Sequence, residues 1–249
     1  MARLAVRAAI LAVFGGLLWL SLSQLRYHWD WSAVWAYRAL FISGMGMTIA
    51  VSLGAIVLGL GCGLASGLAS VSGNILLTEL SALYVGAFRG TPLLVQILIF
   101  YFCVGVVVQV DSPYLIGTAT LGFFSGAYIS EMVRAGVESV ERGQWETALS
   151  SGLTHRQTLL YVILPQAARR IVPPVTGQFV SCIKDSSLLS IISLRELTKA
   201  AEVVNATTYR TFESYLPLAL LYLLLTWPLS YLTRRLEKGI RNGTHYTPR

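Results

Sequence analysis

The sequence predicts an all-α, polytopic helical membrane protein, and three observations carry that expectation. Several apolar runs approach or exceed the roughly 17 to 25 residues that cross a bilayer as a helix. The 249-residue chain is 55% hydrophobic and only 12% charged, about half the charged fraction of a soluble domain. Its basic residues gather at the ends of the apolar runs, so the net charge of +7 points to orientation in a membrane and not to nucleic acid. No polar stretch exceeds about 35 residues, too few for a core of its own. One membrane domain over 40–238 is therefore expected, with a hydrophobic segment and external aromatic linker over 1–39 and a cytoplasmic tail over 239–249.

Arg3 and Arg7 precede an apolar run from Ala8 to Ser23, read as a retained first span in preference to a signal peptide cleaved near Ser21-Leu22-Ser23. Tyr27, Trp29, Trp31, Trp35 and Tyr37 suit an interfacial belt outside it. Leu40 to Ala69 is the second span, and its Gly59, Gly63 and Gly67 form a small-residue face for close helix packing. Phe88-Arg89-Gly90-Thr91-Pro92 opens a third span that runs to Val110, with proline in its first turn. After the Asp111-Ser112-Pro113 turn, a fourth span covers Tyr114 to Val133 and ends in Glu131 and Arg134, one helical turn apart. A fifth runs from Ile171 to Ile192, Ser193 to Ser214 is polar and external, and a sixth covers Tyr215 to Leu232. This topology puts 13 Lys/Arg inside and five outside, with Lys184 in a span, which fixes the long loop before the fifth span as cytoplasmic.

That loop, Glu138 to Pro165, is built like a small structure. A helix of about two turns is expected over Gln144 to Ser151, with Trp145, Ala148 and Leu149 on one side. Gly152 supplies the left-handed residue that ends such a helix. Thr154 and Gln157 form a capping-box pattern that starts a second helix, and Pro165 is expected to stop it. So short a helix-turn-helix cannot bury its own apolar face, so Trp145 and Leu149 require a surface to pack against. The expectation is a knob that meets another protein and moves the spans.

No engine is legible in the chain. It contains no G-x-x-x-x-G-K-[ST] phosphate loop, no G-x-S-x-G elbow and no H-E-x-x-H pair. His28, His155 and His245 are scattered, and no Cys/His spacing resembles a metal site. Cys62, Cys103 and Cys182 lie in apolar runs, odd in number, and read as small buried residues and not as a disulfide framework. Inside the membrane the candidates are Lys184 and Asp185, since a charge at mid-bilayer costs about 2.5 to 3.5 kcal/mol. Lys184 lies 14 residues past Arg170, roughly 21 Å up a helix, in the outer half where snorkelling lowers that cost. Two readings stay open: an interhelical pair that holds subunits together, or a polar route shared with Ser186 and Ser187. Glu131 is a candidate for the same route, with Arg134 as its competing structural partner.

At the loop the sequence resembles a known family. Glu146-Thr147-Ala148, Gly152 and Val162-Ile163-Leu164-Pro165 follow the E-A-A-x-x-x-G-x9-I-x-L-P pattern of ABC-importer membrane subunits. Ser130 to Gly136, Arg142 to Glu146, Leu164 to Ala167, Arg89 to Gln96 and Lys184 to Leu188 look like the polar amino acid uptake branch. The resemblance covers about 40–238. Departures are Thr147 for alanine, Val162 for isoleucine, Ser186 for threonine, and Gly177 where the branch often has asparagine.

The resemblance implies a five-span type I ABC-importer core, to which Ala8–Ser23 is an addition. It implies that the loop's short helix docks on a cytoplasmic ABC ATPase. Glu146, Ala148, Gly152, Leu164 and Pro165 match that coupling motif, and Trp145 and Leu149 share its helix. The expected partners are that ATPase, which binds ATP and Mg, an extracytoplasmic substrate-binding protein, and a second permease, identical or related. No cofactor and no covalent chemistry are expected in this chain, which would lie in a bacterial cytoplasmic membrane. Two competing readings are an ion-gradient-driven secondary transporter using Lys184, Asp185 and Glu131, and a membrane scaffold without transport. The first would show inverted repeats with paired broken helices, and no such duplication is visible between the halves.

Overall fold

Long apolar runs with few internal breakers become helices because a buried or lipid-facing backbone must satisfy its own hydrogen bonds. The computed structural model describes residues 2–23 and 27–243, and the regular structure among them is helical throughout. Helix α1 (Ala2–Ser23) is apolar all round, and described side chains such as Val6, Phe14 and Trp19 are exposed, as on a helix facing lipid. The side chains of Arg3, Arg7 and 21–23 lie outside the described residues. So does the part of the expected tail from 244 onward.

The aromatic linker is a clasp as well as a belt. Buried Glu213 accepts the Asp30 amide at 2.8 Å and the Tyr27 hydroxyl. Arg210 donates to the His28 carbonyl at 2.7 Å, and the Tyr27 and Trp29 rings pack on Phe212. The Ser32 hydroxyl and amide both donate to Asp30, which holds its carboxyl below the usual carboxylate range. A short helix, α2 (Ser32–Ala36), then leads into α3 (Arg38–Ser70).

The centre of the molecule is α3 packed on α7 (Pro113–Glu138). The glycine face of α3 lets the backbones approach so closely that a Cβ on Gly63 would lie 2.6 Å from the Ile129 Cβ. A Cβ on Gly67 would meet Val133 at the same distance. Helix α7 answers with Gly122 and Gly126, four residues apart, against Leu58, Ala55 and Gly59.

Helix α4 (Ile75–Arg89) corrects the expected third span. Asn74 caps it by accepting from the Leu76 and Leu77 amides. It then runs antiparallel to α3, tied to it by the Ser66–Ser81 hydroxyl contact at 2.8 Å, and Ser66 also accepts the Ser130 hydroxyl of α7 at 2.9 Å. The span therefore starts at Ile75 and not at Phe88. Its continuation, α5 (Leu93–Ile99), a π turn over Phe100–Val104 and α6 (Gly105–Val108), is bent by 101° at Gly90–Pro92. Pro92 has no amide hydrogen to continue the ladder of α4. Instead, the Gln96 side-chain amide donates across the elbow to the Phe88 and Thr91 carbonyls and to the Thr91 hydroxyl, at 2.8–3.0 Å. Arg89 thus sits about 21 Å along α4 from its start and not at the inner boundary. Without it the charge bias is still 12 against five.

The loop leads into α10 (Leu164–Asp185), which carries Pro173 and Pro174 inside it and continues as a 3-10 turn over Ser186–Ile192. Helix α11 (Leu197–Thr208) packs beside the first turns of α3 and is capped by buried Glu196, which accepts from the Thr198 and Lys199 amides. Helix α12 (Thr211–Gly243) closes the bundle. By length and composition 38–70 and 211–235 suffice to cross a membrane, and the bent α4–α6 pair passes as a third. Helix α7 is more polar and buries Thr120, Ser125 and Ser130 within the bundle, whereas α10 buries Gln178 and leaves Gln166, Arg169, Arg170 and Lys184 exposed. With them the core has five spans.

Candidate functional site

The loop folds as a helical hairpin. Helix α8 (Arg142–Ser150) ends at Gly152, whose φ of +87° is left-handed. Thr154 Oγ1 accepts the Gln157 amide at 3.3 Å, and Gln157 Oε1 accepts the Thr154 amide at 2.9 Å, which completes the capping box of α9 (His155–Thr158). Pro165 does not end this helix, contrary to the sequence expectation. The chain passes through a π turn over Leu159–Ile163, where the Leu164 amide reaches back to the Leu159 carbonyl, and enters α10 without a break. A proline ring clashes with the carbonyl four residues earlier in a regular α-helix, and the wider π turn makes room for it.

Within the hairpin the expected apolar face divides. Ala148 is buried in the chain itself, so its small size serves internal packing. Trp145 is half-buried, stacks on His155 with ring centroids 5.0 Å apart and packs against the main core. Its need for a surface is largely met at home. Glu146, Leu149, Gly152 and Pro165 remain exposed, with Leu164 half-buried. A Cβ on Gly152 would meet nothing within 4 Å, so backbone conformation and not crowding demands the glycine.

Two ties, for which the sequence offered no signal, hold the hairpin to the spans. Gln166 Nε2 donates to Gln144 Oε1 at 3.1 Å, which joins the start of α10 to α8. The Arg170 guanidinium donates to the Ser139 carbonyl at the end of α7. The first joins α8 to α10, and the second joins α10 to the end of α7.

The proposed pathway residues fall in two places. Lys184 is exposed, Asp185 half-buried, Ser186 buried with its hydroxyl on the Ile183 carbonyl, and Ser187 half-buried. Lys184 and Asp185 form no ion pair within 4 Å among the described residues. Glu131 is apart from them. Ile171 packs on Gly136, so by helix rise Lys184 stands about 12 Å farther from the loop than Glu131. Glu131 accepts from Arg134, which also bonds Glu138 at 2.6 Å, and Arg89 approaches Glu131 to 3.6 Å. Arg89 lies 5.2 Å over the Tyr128 ring. The sequence signal for Arg89 was a cation directly before a Gly-Thr-Pro break.

The family described as binding-protein-dependent transport system inner membrane component matches residues 55–242. The glutamine transport system permease protein GlnP of Escherichia coli K12 is 36% identical over 217 residues, 86% of this chain and 99% of that protein. The probable glutamine ABC transporter permease protein GlnM of Bacillus subtilis is 40% identical over 165 residues, 64% of this chain and 76% of that one. A solved structure of an amino acid ABC transporter with histidines is 34% identical, with a TM-score of 0.79 over 85% of this chain and 99% of its own.

Proposed function

Because the chain belongs to the family of binding-protein-dependent transport system inner membrane components, we infer that it is the permease of an ATP-driven importer whose substrate is glutamine or a closely related polar amino acid. It is a membrane-integral transport subunit and not itself a catalytic enzyme. Its partners as a class are an ATPase and a substrate-binding protein. In this reading ATP and Mg sit in the separate ATPase, because the chain has no phosphate-loop sequence. The ATPase receives α8 through Glu146, Leu149 and the turn at Gly152. Two permeases, identical or related, pair in a bacterial inner membrane, and Lys184, Asp185, Ser186 and Ser187 line the polar route between them.

The observation that carries the reading is the continuity of α8 with the spans, through the Gln144–Gln166 and Arg170–Ser139 ties and the unbroken turn into α10. A docked ATPase that closes on nucleotide moves α8, and α10 has to follow. Co-reconstitution in proteoliposomes with its cognate ATPase and binding protein tests this. Uptake of labelled L-glutamine is expected only with ATP enclosed on the ATPase side. Uptake driven by a proton or sodium gradient without the ATPase would overturn it in favour of a secondary transporter.

A further inference from the structure

The groove between α4 and α7 combines a cavity with a cation whose hydrogen-bonding capacity is unused. The cavity, about 490 Å³, falls within the usual range of small-ligand sites. Hydroxyls of Ser70, Thr78, Ser81 and Ser130 line it, together with the charged side chains of Glu131, Arg134 and Glu138. Arg89, one turn beyond Val85 and Gly86 and with a side chain 38% exposed, does not line the cavity itself and meets it through Glu131. Its guanidinium is held by the Tyr128 ring and by Glu131 at 3.6 Å, and it donates no hydrogen bond among the described residues.

An arginine at a helix C-terminus ordinarily spends its donors on the last carbonyls. Here that work is done by others. The Gln96 amide serves the Phe88 and Thr91 carbonyls, and the Gly90 amide bonds the Gly86 carbonyl at 2.9 Å. The fork of Arg89, planar and matched to a carboxylate, is left for a ligand. Glu131 beside it, whose two carboxylate oxygens also accept from Arg134, supplies the opposite charge. A carboxylate acceptor next to a guanidinium fork fits a molecule that carries an ammonium and a carboxylate on one carbon.

We propose that Arg89 binds the α-carboxylate of the transported amino acid in the groove between α4 and α7, with Glu131 receiving its α-ammonium group. This rests on the amino acid importer reading. The site holds the groups that all α-amino acids share, so side-chain selectivity lies elsewhere.

The test is equilibrium binding of labelled L-glutamine to the purified permease–ATPase complex without binding protein, competed by unlabelled L-glutamine and by its α-amide, which lacks the carboxylate. Wild type is expected to favour L-glutamine by roughly tenfold or more, the difference one charged hydrogen-bonding group makes. Arg89→Gln should bring that ratio to near unity with the ATPase still co-purifying. Arg89→Lys, a point charge without the fork, should fall between. A purely structural Arg89 would not move the ratio. An unchanged ratio in Arg89→Gln, no preference in wild type, or failure of both variants to assemble overturns the proposal. If wild type shows ATP-driven glutamine uptake while the ratio is unmoved, the site fails and the importer stands. If wild type shows no uptake, both fail.

Discussion

Gly152 holds a left-handed φ of +87° in open space, which separates two explanations of a glycine in the proposed docking loop. A non-glycine residue there costs about 1 to 2 kcal/mol in backbone strain, whereas an added methyl group collides with nothing in the chain. Asparagine tolerates the left-handed region better than alanine. Gly152→Ala is therefore expected to weaken ATPase retention by roughly tenfold, about 1.4 kcal/mol, while Gly152→Asn stays nearer wild type. Co-purification at graded ATPase concentrations measures this. Equal losses in the two variants would show that partner contact, and not the turn, excludes a side chain. Ala148, small for the opposite reason, already lies against its own chain.

Elements legible in the sequence are those fixed by local chemistry. The Thr154–Gln157 box, the Gly152 stop and the glycine face of α3 each depend on side chains within a turn or two, so spacing alone reveals them. Helix α4 was hidden because its outer limit is a bend and not a loop. Gly90-Thr91-Pro92 carries the same signals at the start of a span as at an elbow within one. What holds the elbow is Gln96, through contacts five and eight residues back that no period announces. The direction of Ala148 and the passage of Pro165 through a π turn were likewise set by packing and helix continuity. Gln96→Leu, close in volume, leaves the Phe88 and Thr91 carbonyls without that donor, at a cost of about 1 to 3 kcal/mol. Spin labels at exposed Leu80 and Val106, on either side of the elbow, should then show a broadened distance distribution. An unchanged distribution would mean that the bend is held by its neighbours and not by Gln96.

At the scale of the molecule, the stroke proposed to arrive at α8 does work only if what it pushes against is stiff. The α3–α7 pair provides that stiffness, since backbones this close leave no side-chain layer to slide. The Ser66, Ser81 and Ser130 hydroxyls extend the contact to α4, and α7 passes through Ser139 to the Arg170 tie. Gly63→Ala would place its methyl 2.6 Å from the Ile129 Cβ and 2.7 Å from the Gly126 carbonyl oxygen, which forces the helices apart. Overpacking of this kind costs about 1 to 3 kcal/mol, so the melting temperature in detergent should fall by roughly 2 to 12 °C. Gly61→Ala, two residues away with nothing within 4 Å, is the matched control and should melt as wild type. In proteoliposomes Gly63→Ala should also hydrolyse more ATP for each amino acid moved, because part of the displacement is lost in a loosened pair. A lower melting temperature with an unchanged ratio of hydrolysis to uptake would assign the close contact to stability alone and leave the transmission to α10.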